Sequence, residues 1–277
     1  MRTLISAQAL KSELANPDLI ILDSRFYLTD LDKGLLEYNK GHIPGALFVD
    51  LHHDLASPEN EFSGRHPLPA PDDFSLYLQK KGIKLNSNVV VYDDMSGAIA
   101  ARAWWMLAQN NIDVRVLDGG INAWLAIEGE LETVAPTLRI TDQSLNISFP
   151  WAVSEEDVLE NMETESFQLL DARASDRFEG QNETMDPLAG HIPGALNRPF
   201  PTNLDSLGTF LSSESLAQDF KQIETDLEIV HYCGSGVTAC HNVLANLSAG
   251  GDNKRVFIGS WSQWSKRMLR LMTEQQG

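Results

Sequence analysis

Short runs of apolar residues alternate along this chain with longer stretches in which apolar positions recur at helical spacing. Leu19 to Leu22, Val89 to Tyr92 and Val114 to Leu117 read as strands in the first half, and Leu169 to Asp171, Ile229 to Tyr232 and Val256 to Ile258 in the second. Strands that are apolar throughout, rather than in alternation, are buried on both faces, which predicts parallel sheets sandwiched by helices and an α/β fold class. Ser6 is placed to cap a helix over residues 7–15, residues 98–110 form a second helix carrying Arg102, and Ser154 followed by Asp157 approaches a capping box. Ligands of such sheets bind where strands end and helices begin. That rule directs attention to the residues just after Tyr92 and just after Tyr232.

The chain also repeats itself. Leu22-Asp23-Ser24-Arg25 returns as Leu170-Asp171-Ala172-Arg173, and Gly41-His42-Ile43-Pro44-Gly45-Ala46 returns letter for letter as Gly190-His191-Ile192-Pro193-Gly194-Ala195. Farther on, Val91-Tyr92-Asp93 matches His231-Tyr232-Cys233, while Gly119 and Trp124 match Gly259 and Trp264. Landmarks in the same order imply two homologous domains, expected at 1–132 and 150–277, with a linker over 133–149.

Composition narrows the partners. Against 39 Asp plus Glu the 277 residues carry 21 Lys plus Arg, a net charge of −18 without any basic run, which argues against nucleic acid and anionic membrane surfaces. No apolar stretch approaches the roughly 20 residues of a membrane span, and Met-Arg-Thr-Leu-Ile-Ser lacks the apolar core of a signal peptide. A soluble, cytoplasmic protein acting on small molecules or proteins is expected, with no cofactor. Cys233 and Cys240 are too few for a disulfide framework or a cysteine zinc site, and no metal is expected.

The segment Ile229 to Asn242 reads as buried strand, glycine-containing loop and helix, with Cys233 as the first loop residue. Gly234 and Gly236 let the backbone curl so that successive N–H groups, including those of Val237 and Thr238, converge into an anion-binding nest at the positive end of a helix starting near Thr238. A thiol there is positioned to act as a nucleophile, and the loop would stabilise anionic sulfur carried on it. The plainer alternative is a buried structural cysteine at a strand end. Cys240 is expected two turns into the helix as a core residue, and His231 and His241 as packing or surface residues.

The double Gly-His-Ile-Pro-Gly-Ala, the double Leu-Asp-[Ser/Ala]-Arg, the helix Ala101-Arg102-Ala103-Trp104-Trp105-Met106-Leu107 and the loop Cys-Gly-Ser-Gly-Val-Thr-Ala together resemble the tandem-rhodanese sulfurtransferases over nearly the whole chain. The resemblance implies two rhodanese-like domains, the second catalytic through a Cys233 persulfide and the first an inactive copy, with Asp93 where the cysteine would be. The loop wording resembles the 3-mercaptopyruvate branch, whereas the thiosulfate branch usually has basic side chains within the loop. In the former branch an Arg of Asp-Ala-Arg-x-x-x-Arg-Phe binds the donor carboxylate, which implies Arg177, otherwise a surface residue paired with Asp176 or Glu179. The branch's second Arg, in Glu-Pro-Arg, has no counterpart in Asn182 to Pro187, which implies weakened two-point recognition and a raised KM. The family's loop histidine is matched by His66 in Gly64-Arg65-His66-Pro67, implying a proton relay with Ser235 and an acid such as Asp50, and Arg65 is a further group for an anionic donor.

Two other classes compete with this reading. Phosphatases that share the fold need an Arg six residues after the cysteine, where this chain has Ala239, so the phosphoryl transition state would lack its clamp. A thiosulfate-preferring enzyme and a non-catalytic sulfur-carrier or protein-binding module remain as alternatives. The acceptor is left open among cyanide, a small thiol, a thioredoxin-like protein and a dedicated carrier protein.

Overall fold

A computed structural model describes residues 3–138 and 140–275, so Met1 and Arg2 of the N-terminal segment weighed above lie outside it. The first half runs β1 (Leu4–Ile5), α1 (Ala7–Glu13), β2 (Leu19–Asp23), α2 (Lys33–Lys40), β3 (Ala46–Phe48), α3 (Pro71–Lys80), β4 (Asn88–Tyr92), α4 (Ala100–Ala108), β5 (Asp113–Leu117) and α5 (Gly120–Ala126). The second repeats that order as β6 (Ala152–Val153), α6 (Glu155–Thr164), β7 (Phe167–Asp171), α7 (Ser175–Phe178), β8 (Leu196–Asn197), α8 (Ser213–Phe220), β9 (Glu228–Tyr232), α9 (Thr238–Ser248), β10 (Arg255–Phe257) and α10 (Ser260–Glu274). Each half builds a five-stranded parallel sheet, ordered β1-β5-β4-β2-β3 and β6-β10-β9-β7-β8. None of the described helices is long and apolar enough to cross a membrane.

Two compact units result. Of the described residues, the first comprises 3–57, 69–138, 140–150 and 204–210, and the second 58–68, 151–203 and 211–275. Residues 58–68, from the stretch between β3 and α3, thus pack with the second sheet, and 204–210, from the equivalent stretch between β8 and α8, pack with the first. The segment read as a linker lies on the first unit, where Leu145 and Ile147 are buried and Leu145 N–H donates to Ser75 Oγ at 3.1 Å. Helix α4 is buried along its whole length, including Trp104, Trp105 and Arg102. Ser154 and Asp157 complete the expected capping box at α6.

The repeated motifs prove to be one clamp made twice. Parallel register sets Asp23 beside Tyr92 and Asp171 beside Tyr232. In the first unit, Tyr92 Oη donates to Asp23 at 2.6 Å and accepts the Ile43 N–H at 3.1 Å, while Arg25 bridges Asp23 at 2.6 Å and the Gly41 carbonyl at 2.8 Å. In the second, Tyr232 bonds Asp171 and accepts from Ile192, and Arg173 bridges Asp171 at 2.7 Å and the Gly190 carbonyl at 2.7 Å. His42 and His191 stack on Tyr38 and Phe178 and bond the carbonyls of the same two residues. Gly45 and Gly194, at φ of 81° and 78°, take the left-handed turn that returns the chain to the sheet. Asp-Arg and Gly-His-Ile-Pro-Gly-Ala therefore recur because each buries the partners of the other.

Removing one member of a buried ion pair strands the other charge, so Asp23→Ala is expected to lower stability by about 3–5 kcal/mol. Glu37→Ala, which breaks the pair with 70%-exposed Lys40, should cost no more than about 0.5 kcal/mol in the same urea titration. His231 is fully buried on β9, and burial, with Arg198 as the second cause, pushes its pKa down to about 3. An unfolded histidine takes up its proton near pH 6.5 or so, so wild-type stability should fall as pH drops from about 6.5 to about 3. His231→Leu should flatten that acid limb relative to wild type, and an unchanged slope would mean that His231 is protonated in the fold.

Candidate functional site

Strand β9 ends at Tyr232, and the chain turns at once into the loop that carries Cys233. The Cys233 N–H donates to Ser260 Oγ at 3.1 Å, while the Cys233 and Gly234 carbonyls accept from Trp261 and Ser262 at 2.9 Å each. The first turn of α10 thus holds the loop by its backbone. Gly236, at φ of 74°, lies against the Ile258 carbonyl oxygen, which leaves no room for a β-carbon. Cys233 is 1% exposed. Helix α9 begins at Thr238, after buried Val237 as its cap residue. Cys240 lies in the first turn of α9 rather than two turns along it, and its buried thiol contacts the Gly236 carbonyl at 3.5 Å. His231 and His241 are both buried, so neither is a surface residue; His241 Nδ1 meets Asn203 Nδ2 at 3.0 Å.

The equivalent loop of the first unit shows what this backbone does with a negative charge. Asp93 Oδ1 accepts the N–H groups of Met95 at 2.9 Å and Gly97 at 2.8 Å, and Oδ2 those of Ile99 and Ala100 at 2.8 Å each. Ser96, at φ of 57°, occupies the place of Gly236. In the second unit Cys233 stands where Asp93 does, and the N–H groups of Ser235, Val237 and Ala239, equivalent to those of Met95, Gly97 and Ile99, donate to no acceptor among the described residues. The second nest is open where the first is filled by its own side chain.

Helix α10 also supports the segment 58–68. Gln263 donates to the Phe62 carbonyl at 3.0 Å, Lys266 to those of Ser63 and Asn60 at 3.0 and 3.2 Å, and Arg270 to that of Glu61 at 2.6 Å. So anchored, the segment brings His66 Nδ1 to 2.8 Å from Ser235 Oγ, with both residues buried. Asp50 Oδ1 accepts the N–H groups of His52 and His53 at 2.8 Å each.

The cations were not legible as they stand. Arg177 pairs with Glu183 at 2.9 Å and Asp186 at 3.4 Å, not with the carboxylates of Asp176 or Glu179. Arg65 pairs with Asp186 as well. A β-carbon added at Gly234 would lie 3.1 Å from Arg65 Nη2 and 3.6 and 3.7 Å from the two terminal nitrogens of Arg177. Two guanidiniums therefore face the residue next to Cys233, although the loop itself has no basic side chain. The segment Asn182 to Pro187, which lacks an arginine, instead supplies the carboxylates that hold both. Glu183 joins this group to the clamp through Arg173 at 3.3 Å. Burial works against the charge on Glu183, yet the Met185 N–H and Arg177 hold its carboxyl below the ordinary range. Burial pushes the Asp186 carboxyl up, against the pull of Arg65 and Arg177. Among the described residues no group of three His, Cys, Asp or Glu side chains is arranged to hold a metal ion.

Sequence reasoning had no place for Ser260, Ser262, Glu183 or Asp186. The absence of an arginine from the Asn182 to Pro187 stretch was the one signal that pointed toward the last two.

Comparison with known proteins agrees with this architecture. The family model of the rhodanese-like domain matches twice, at residues 6–127 and 154–267. A Pseudomonas aeruginosa protein described as "Probable 3-mercaptopyruvate sulfurtransferase" is 44% identical over 267 residues, covering 94% of each chain. Mouse 3-mercaptopyruvate sulfurtransferase is 36% identical over 280 residues, covering 96% of this chain and 93% of its own. Among solved structures, 3-mercaptopyruvate sulfurtransferase from Leishmania major superposes with a TM-score of 0.89 at 28% identity, over 99% of this chain and 77% of the other. With both halves matched by one domain model and whole-chain relatives above the level of chance resemblance, this chain belongs to the rhodanese family.

Proposed function

We propose that this protein is a sulfurtransferase that draws sulfur from 3-mercaptopyruvate onto Cys233 and passes it to a thiol, cyanide or a thioredoxin-like acceptor. The observation that carries this reading is the pair of guanidiniums, Arg65 and Arg177, against Gly234, beside a buried thiol in a loop with unclaimed N–H groups. Their planar forks suit a carboxylate several bonds from the sulfur under attack.

In the first half-reaction the Cys233 thiolate attacks the donor sulfur, forming an S–S bond. The C–S bond breaks and its electron pair goes to the donor carbon, leaving the enolate of pyruvate. The proton of the donor thiol passes to that carbon, for which Ser235 and His66 form a relay at 2.8 Å. Pyruvate leaves and Cys233 retains a persulfide anion, whose terminal sulfur is the species that the N–H groups of Ser235, Val237 and Ala239 can hold. Gly234, Gly236 and Thr238 contribute loop curvature and the helix start. In the second half-reaction the acceptor attacks the outer sulfur, breaks the S–S bond and regenerates the thiolate. The first unit has no cysteine in its loop, where Asp93 fills the nest and cannot carry sulfane sulfur, which supports reading it as the inactive copy. A thiosulfate-preferring enzyme is the second reading, favoured by the same guanidiniums because their N–H groups could also donate to the oxygens of thiosulfate.

Donor without acceptor should add about 32 Da to the peptide containing Cys233 and to no other. Cys233→Ser should abolish transfer while Cys240→Ser retains most of it, and full activity in Cys233→Ser would overturn the reading. Arg177→Ala should reduce kcat/KM for 3-mercaptopyruvate on the order of a hundredfold, as expected for a lost charged hydrogen-bond pair. Side-by-side turnover with thiosulfate decides the donor: equal harm to both donors, with thiosulfate preferred by wild type, would reject 3-mercaptopyruvate while leaving sulfur transfer intact.

A further inference from the structure

We propose that Asp186 sets the charge of donor this site accepts, by anchoring Arg65 at the loop while cancelling half of the positive charge the two guanidiniums present there. The proposal rests on the sulfurtransferase reading above and concerns specificity within it.

Asp186 is built into the site rather than laid over it. Its side chain is 2% exposed, it touches both Arg65 and Arg177, and its own N–H donates to Glu183 Oε1 at 3.2 Å. Arg177 would remain oriented without it, since Glu183 holds that guanidinium at 2.9 Å through each carboxylate oxygen. Arg65 would not: Asp186 is its ion-pair partner, and its buried Nε has no hydrogen-bond partner among the described residues. Asp186 is therefore what aims Arg65 Nη2 at Gly234.

The charges balance. Arg65 and Arg177 are matched by Asp186 and Glu183, and Arg173 is matched by Asp171. A site of zero net side-chain charge offers directed N–H donors to a monocarboxylate without a field that rewards a second negative charge. A dianion such as thiosulfate, bound close to a thiolate, meets donors but no surplus cation. At an effective dielectric constant of about 20, one more unit of charge several ångströms away changes binding by about one to two powers of ten. Asp186→Asn keeps the size and an oxygen acceptor for Arg65 but removes the charge, which should reward the dianion twice as strongly as the monoanion.

The experiment measures kcat/KM for thiosulfate and for 3-mercaptopyruvate, with cyanide as acceptor, on the full chain. Asp186→Asn should raise the thiosulfate to mercaptopyruvate ratio by about tenfold or more, and Asp186→Glu should restore a ratio near wild type. A ratio unchanged or lowered in Asp186→Asn, with persulfide still forming on Cys233, would overturn the role of Asp186 alone. Failure of wild type to load sulfur from either donor would instead overturn the reading on which it rests. Wild type supplies a second measurement that needs no variant: methanesulfonate and sulfate, similar in shape but differing by one charge, compete with donor for persulfide formation. The monoanion should inhibit at least as strongly as the dianion, and clearly tighter inhibition by sulfate would reject the proposal.

Discussion

Burying an arginine beneath a sheet is tolerable only if every part of its guanidinium has a partner, and in this protein that requirement organises both halves. Arg25 and Arg173 are 5% and 3% exposed. Each is neutralised by the aspartate two residues earlier and spends a terminal nitrogen on the carbonyl of the glycine that opens Gly-His-Ile-Pro-Gly-Ala. The pair alone would be weak grounds for stability, since desolvation offsets much of the attraction. Its consequence is geometric. Strand β2 or β7, the neighbouring strand end at Tyr92 or Tyr232 and the turn after α2 or α7 cannot shift independently without leaving a charge unmatched. In the second unit the same arginine also meets Glu183, so the rigidity of the clamp extends through Glu183 to Arg177 and, by way of Asp186, to Arg65. The guanidiniums that face the cysteine loop are positioned by the fold's own ion pair.

That continuity explains which parts were legible beforehand. Strands were readable because burial on both faces demands unbroken apolar runs, and the repeat marked the clamp's members because each short motif recurs, though not its purpose, since Tyr92 meets Asp23 across 69 residues. The place of Cys233 at the head of the loop was readable because strand, glycine loop and helix follow one another without interruption. The start of the helix near Thr238 was read where the structure has it, so Cys240, two residues later, falls in the first turn and the two-turn placement was a miscount along a correctly placed helix. Arg177 faces the loop at Gly234, but its ion-pair partners were sought among immediate neighbours, Asp176 and Glu179, rather than at Glu183 and Asp186. The true partner of Arg65 lies 121 residues away, a separation that no local pattern records. The hold of α10 on residues 60–63 was equally hidden, because the acceptors are backbone carbonyls, and a carbonyl has no residue type by which to recognise it.

The two loops that follow Tyr92 and Tyr232 show how little must differ for equivalent backbones to serve different ends. A left-handed residue at the third position beyond the strand's following residue, Ser96 in one and Gly236 in the other, bends both so that amide protons converge. In the first, the Asp93 carboxylate takes four of them at 2.8 to 2.9 Å. Such a loop is satisfied within itself, and Asp93 fastens the start of α4 to β4. A cysteine reaches less far and accepts more weakly, so the same amides stay available to whatever anion the sulfur carries. One side chain thus decides whether the nest is part of the fold's stability or part of its chemistry.

Hydrogen-bond donors of that kind recognise anions by position but count charge poorly, since each amide contributes only a partial charge. Discrimination by charge therefore has to come from ionised side chains, and beside the Cys233 loop Arg65, Arg173 and Arg177 are matched by Asp186, Asp171 and Glu183. An arginine in place of Asp186 would add charge where this chain subtracts it, and Arg65 would lose the partner that directs it. The two positions make sense only together: an arginine arriving on the segment 58–68 needs a buried carboxylate to receive it, and a carboxylate buried at Asp186 needs a cation to offset its desolvation. The stretch Asn182 to Pro187 has no arginine, yet with Arg65 held by Asp186 and Arg177 by Glu183 the loop beside Cys233 still faces two guanidinium groups.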